Sequence, residues 1–122
     1  MSGKCIISIG FEQEKFLGIT EVKPTEMTRL INQQNAGVLD VRDQGQFKAG
    51  HIINAIHTPF ALLEDQLDQY NDYKDSPLIL YCSNGQQSAR ACAMLNKAGF
   101  KQLYKLAGGI STWNSANLPL GK

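Results

Sequence analysis

Leu78-Ile79-Leu80-Tyr81-Cys82-Ser83-Asn84-Gly85-Gln86-Gln87-Ser88 joins an apolar run, a cysteine and a polar loop with one glycine, and an Ala-rich segment follows from Ala89. Four apolar residues in a row, preceded by the polar turn Asp72 to Pro77, read as a strand covered on both faces. From about Gln86 to Lys97 the chain places Ala91, Met94, Leu95 and Ala98 at helical spacing, and Gly99 stops the helix. The Cys82 thiol then lies at the floor of a short loop, where backbone N–H groups and the positive end of a helix dipole face it. The thiolate is the nucleophilic form of cysteine, and such a setting stabilises it without a metal. Gly85 supplies the left-handed dihedrals that curl a backbone around an anion.

Working outward, the same strand-then-helix grammar recurs. A short extended stretch from Ile19 leads to Pro24, whose fixed φ suits a first helical turn with Glu26 near its positive end. Met27, Leu30 and Ile31 extend that helix to about residue 34. After Asn35-Ala36-Gly37, the run Val38-Leu39-Asp40-Val41 is a short buried strand ending at the polar cluster Arg42-Asp43-Gln44-Gly45. Gly50 to Pro59 reads as a turn and a small β-rich segment, and Leu63, Leu67 and Tyr70 predict a helix through about residue 70. Leu103-Tyr104-Lys105-Leu106 is a further strand, Gly108-Gly109 a turn, and Ile110 to Asn117 a last short helix before Pro119.

Alternating strands and helices predict an α/β domain with a mainly parallel sheet and helices on both faces. Ligands of such sheets sit beyond the carboxyl ends of the strands, which is where Cys82 and the segment after Val41 fall. Residues 1–18 stand outside the pattern and read as an N-terminal extension of open role, a tail or an extra strand, ahead of a domain over 19–122.

Composition narrows the classes. At 122 residues the chain has room for one domain, and 43% hydrophobic with 19% charged residues excludes disorder. A net charge of +1 with scattered Lys and Arg gives no basic stripe, so no nucleic-acid partner is expected. Cys5, Cys82 and Cys92 form neither a CxxC nor a Cys/His pattern, so no disulfide framework, metal site or cofactor is expected, and a reducing, cytoplasmic setting fits. The apolar run from Cys5 to Phe11 is too short to span a membrane. Cys92, inside the Ala-rich helix, reads as core; His51 and His57 read as structural hydrogen-bonding groups, and Trp113 as packing.

Leu39-Asp40-Val41-Arg42, Phe47, Gly50-His51-Ile52, Ala55 and Pro59, then Ile79 to Cys82 with Gly85, Ser88-Ala89-Arg90, Leu106 to Gly109 and Trp113 together resemble the rhodanese-domain signature. The resemblance runs in order over roughly residues 19 to 120. It implies a rhodanese-like domain with a five-stranded parallel sheet, and sulfurtransferase chemistry at Cys82. A sulfane sulfur from thiosulfate or a persulfide would be held as a Cys82 persulfide and passed to cyanide or a thiol, a protein thiol included. Ser83, Asn84, Gly85, Gln86, Gln87 and Ser88 would form the persulfide-binding loop, with Asp40 and Arg42 pairing beside it.

Two departures bear on this expectation. Gln87 stands where many members carry a basic residue or threonine, and an uncharged loop points to a persulfide donor more than to dianionic thiosulfate. Gln46 replaces a usual glutamate and is expected to alter a surface interaction more than the chemistry. A phosphatase would need an arginine at position 88 to clamp equatorial oxygens, and the residue there is serine. The remaining alternative is a non-catalytic rhodanese-like sulfur-carrier or interaction module.

Overall fold

The computed structural model describes residues 19–83 and 85–121. In chain order these form β1 (Ile19–Val22), α1 (Pro24–Gln34), β2 (Gly37–Asp40), α2 (Gln44–Ala49), β3 (His51–Ile52), β4 (Ile56–His57) and α3 (Phe60–Leu63). A 3₁₀ segment, Glu64–Tyr73, continues α3, and β5 (Leu78–Tyr81), α4 (Gln86–Lys97), β6 (Leu103–Leu106), α5 (Ile110–Ser115) and β7 (Leu120–Gly121) follow. Five strands make a parallel sheet in the order β1-β6-β5-β2-β4, while β3 and β7 pair antiparallel apart from it. The predicted five-stranded parallel sheet is present.

The two-residue period of the central strand sorts the core into two layers. Leu78, Leu80 and Cys82 face Ala91, Cys92 and Leu95 of α4, with Leu63 and Tyr70 beside them. Ile79 and Tyr81 face the opposite way, toward Met27 of α1 and Ile110 and Trp113 of α5. All four residues of β5 are buried, as both-face coverage requires. α1 starts as its sequence dictates, with Pro24 in the first turn and the Glu26 carboxylate accepting the Lys23 N–H at 3.0 Å.

The chain order of the strands creates a crevice. The connection leaving β2 leads outward to β4, and the one leaving β5 leads the other way, to β6. Adjacent strands whose connections part in this manner open a gap at their carboxyl ends. Arg42 follows β2 and Cys82 follows β5, so both flank that gap.

Local expectations need several corrections. The buried strand spans Gly37–Asp40 instead of 38–41. The helix expected around residues 63 to 70 is one α-turn that tightens into the 3₁₀ segment, with Tyr70 at φ −112° and ψ 17° interrupting it. α2 was hidden by its polar, glycine-containing composition; Asp43 starts it by accepting the Gln46 N–H at 2.8 Å. α5 stops at Ser115, and β7 has no signal beyond two residues after Pro119. Expectations for residues 1–18, including Cys5, lie outside the described residues.

Candidate active site

Cys82 is the first residue past β5 and is 1% exposed. The Gly85 N–H donates to its Sγ at 3.0 Å and the Ser88 N–H at 3.3 Å. Gly85 reaches that position at φ +100° and ψ −10°, as the residue that opens α4. A side chain there would be strained by the backbone angle, which explains the glycine. The Ser88 hydroxyl, fully buried, lies 3.6 Å from Sγ and donates to the Gly85 carbonyl at 3.2 Å. Two backbone donors from one turn thus converge on a single sulfur, with the Ser88 hydroxyl beside it, which favours its anionic form.

The first two carbonyls of the loop are held from behind by α5. The Ile110 N–H donates to the Cys82 carbonyl at 2.8 Å, and the Ser111 hydroxyl to the Ser83 carbonyl at 3.2 Å. α5 comes this close only through Gly109, at φ +65°: a Cβ there would stand 2.3 Å from the Cys82 carbonyl oxygen. The Gly108-Gly109 turn therefore shapes the loop from behind.

Asp40 and Arg42 form a buried ion pair at 2.7 Å, with Nε donating to both carboxylate oxygens and Nη2 to Oδ2. The same Nη2 donates to the Gly50 carbonyl at 2.7 Å. Tyr81, aligned with Asp40 in the register of β5 and β2, donates its hydroxyl to Asp40 at 2.6 Å and accepts the Ile52 N–H at 3.0 Å. Burial lowers the Arg42 pKa, but the hydrogen bonds and charge of Asp40 more than offset this and the net shift is upward. Burial, then Asp40, pushes the Tyr81 phenol up, so it is a donor at any ordinary pH. The Arg42 guanidinium, spent on Asp40 and Gly50, braces the strand ends.

Phe47 stacks between His51, at 3.9 Å, and His57, at 4.5 Å. The His51 Nδ1 lies 2.9 Å from the Phe47 carbonyl, and the His57 Nε2 lies 2.8 Å from that of Arg42. Both imidazoles thus have structural roles. Among the described residues no group of three side chains is placed to hold a metal. Burial pushes the Cys92 thiol up to about 12, and its Sγ approaches the Tyr104 carbonyl at 3.7 Å, which keeps it neutral and part of the core.

Of the expected loop residues, Gly85 and Ser88 meet the sulfur, Ser83 is half-buried, and Gln86 and Gln87 are exposed on the first turn of α4. Asn84 lies outside the described residues. Gln87 also lines a cleft of about 230 Å³ with Val41, Arg42, Pro59 and Phe60. Gln46 completes that wall and donates from Nε2 to the Ser83 hydroxyl at 3.1 Å. This exposed contact is the surface interaction that Gln46 makes, and it ties α2 to the loop. Tyr81 was also missed; a buried tyrosine hydroxyl in an otherwise aliphatic strand signals a polar partner. For Gln46 the signal was Asp43 three residues earlier, a helix start that carries Gln46 toward the loop.

Comparison with known proteins places these features. Residues 23–116 match the family described as Rhodanese-like domain. The chain is 36% identical over 96 residues to the uncharacterized protein YibN of Escherichia coli strain K12, covering 78% of this chain and 67% of that one. It is 32% identical over 95 residues to the thiosulfate sulfurtransferase GlpE of Coxiella burnetii strain RSA 331, covering 78% and 87% respectively. A rhodanese-related protein from Thermoplasma volcanium superposes with a TM-score of 0.75 at 24% identity, over 84% of this chain and 97% of that one, a likeness of fold.

Proposed function

The chain belongs to the rhodanese-like domain family, and on that premise we propose that it is a sulfurtransferase that carries sulfur on Cys82. The observation that supports this most is the pair of backbone N–H groups, from Gly85 and Ser88, aimed at one sulfur with the Ser88 hydroxyl behind them. Such a cradle stabilises an anionic nucleophile before reaction and the persulfide anion after it.

With thiosulfate, the Cys82 thiolate attacks the outer sulfur. A bond from Sγ to that sulfur forms as the sulfur–sulfur bond of thiosulfate breaks, and the electron pair departs with sulfite. The second half runs in reverse with an acceptor such as cyanide or a thiolate, which takes the outer sulfur and returns the pair to Sγ. Charge is conserved in each half and no net oxidation occurs, so the donors of the loop serve both. The neutral side chains Ser83, Gln86 and Gln87 support an organic persulfide as donor over thiosulfate, whose two charges the loop does not match.

The test is to incubate the reduced protein with thiosulfate or an organic persulfide and weigh it intact. One added sulfur is expected, removed by cyanide and absent in Cys82→Ser; no adduct with any sulfane donor refutes the proposal. Faster loading by thiosulfate than by the organic persulfide refutes the donor preference alone. The near-complete burial of Cys82 favours a second reading, a slow carrier or interaction module. Loading without turnover is the result that would support it.

A further inference from the structure

The cleft beside the sulfur has a charge that the loop itself does not. Its one cation, Arg42, is balanced by Asp40 at 2.7 Å. Asp43, on the same wall, accepts the Gln46 N–H at 2.8 Å and has no cation within ion-pair distance among the described residues. The lining therefore has one unbalanced negative charge. Its other surfaces, Pro59 and Phe60 among them, are apolar, and its remaining polar groups, Gln46 and Gln87, are neutral amides. The cleft adjoins the loop that holds the sulfur, because Gln46 on its wall donates to the Ser83 hydroxyl at 3.1 Å and Gln87, also on its wall, precedes the residue whose N–H meets Sγ.

The geometry points to this cleft as the seat of the organic half of the substrate, with Asp43 and Gln46 as the residues that select it: thiols and persulfides that have no anionic group besides the reacting sulfur. The inference rests on the proposed sulfur transfer at Cys82. In the step concerned, a thiolate attacks the outer sulfur of the Cys82 persulfide. The new sulfur–sulfur bond forms as the bond to Sγ breaks, the electron pair remains on Sγ, and the outer sulfur leaves on the product with the negative charge it already carried. A substituent on the attacking thiol occupies the cleft during that step. A carboxylate there meets Asp43, and an ammonium complements it.

The experiment uses the full chain, loaded with one sulfur and verified by mass, then mixed at low ionic strength with cysteamine, mercaptoethanol or mercaptopropionate. Rates of sulfur loss are compared per thiolate. Cysteamine is expected to be fastest and mercaptopropionate slowest, with the ends of the series separated by about fivefold to tenfold and drawn together by added salt. Asp43→Asn preserves the helix cap and should compress the series. Gln46→Glu, at an exposed position, adds a second charge and should widen it. A flat series in the natural chain, or one that neither substitution alters, overturns this inference and leaves sulfur transfer standing. A chain that no sulfane donor loads overturns both, and that failure is seen before any thiol is added.

Discussion

Replacing Ser88 by alanine removes a hydroxyl and leaves the backbone in place, so it isolates the one side-chain group beside Cys82 from the two backbone donors. The hydroxyl lies 3.6 Å from Sγ and currently donates to the Gly85 carbonyl at 3.2 Å. When Cys82 ionises, rotation about one bond re-aims that proton at the sulfur. The Ser88 N–H at 3.3 Å is unaffected by the substitution, and the Gly85 carbonyl retains the Ala89 N–H at 3.3 Å. A hydrogen bond to a charged group contributes about 1.5–3 kcal/mol, and the long contact to sulfur argues for the lower end. A loss of about 1.4 kcal/mol is tenfold in an equilibrium, so the thiolate fraction below the midpoint falls about tenfold. The assay is iodoacetamide labelling of Cys82 against pH, read on the peptide that contains it. The labelling curve of Ser88→Ala should move to higher pH with its plateau retained, and Ser88→Thr should restore part of the shift. An unmoved curve in an alanine variant that folds normally would refute a role for the hydroxyl in holding the thiolate.

Gly109→Ala places a Cβ 2.3 Å from the Cys82 carbonyl oxygen at a left-handed backbone angle. The expected loss is about 2–4 kcal/mol in a denaturant titration, with slower persulfide formation. Arg42→Met leaves the buried Asp40 carboxylate without its cation and should cost about 3–5 kcal/mol; a loss below 1 kcal/mol would show that Tyr81 and the Arg42 backbone N–H suffice for it. Cys92 titrates near 12 in the folded chain against an ordinary value of 9.0, so the folded state retains its proton longer. Its contribution to stability is complete below pH 9 and declines as the pH rises toward 12. Cys92→Ala should flatten that alkaline slope, and Cys92 should resist alkylation at pH values where Cys82 reacts.

How much of this was legible in the sequence depended on whether a feature is encoded locally. β5, α4 and β6 were readable because an unbroken apolar run, a helical repeat and a glycine stop each sit within a dozen residues. The sulfur's neighbours followed from the same stretch, since a strand that ends just before Cys82 and a helix that opens at Gly85 bring the Gly85 and Ser88 amides to the sulfur. The brace behind the loop was not readable. Ile110 and Ser111 meet Cys82 and Ser83 only after β6 has been laid beside β5, and no spacing within either segment encodes that contact. Tyr81 shows the same limit, because its partner Asp40 lies 41 residues earlier and meets it through strand register alone. α2 failed for a different reason: a six-residue helix with no buried residue has no hydrophobic period to detect.

These long-range contacts explain why two interior strands carry the Asp40, Arg42 and Tyr81 cluster at their carboxyl ends. An ion pair of this kind is weak as a source of stability, because desolvation offsets most of its attraction. Its value is directional. Asp40 accepts from the Arg42 side chain, the Arg42 N–H and Tyr81 at once, and Arg42 and Tyr81 in turn hold Gly50 and Ile52. An apolar replacement would pack the same space without fixing the angle at which the chain leaves β2. That angle determines where α2 begins, and α2 delivers Gln46 to Ser83 across the mouth of the crevice. A site built on two adjacent strand ends needs both exits fixed relative to each other: α5 holds the exit of β5, and the buried triad holds that of β2.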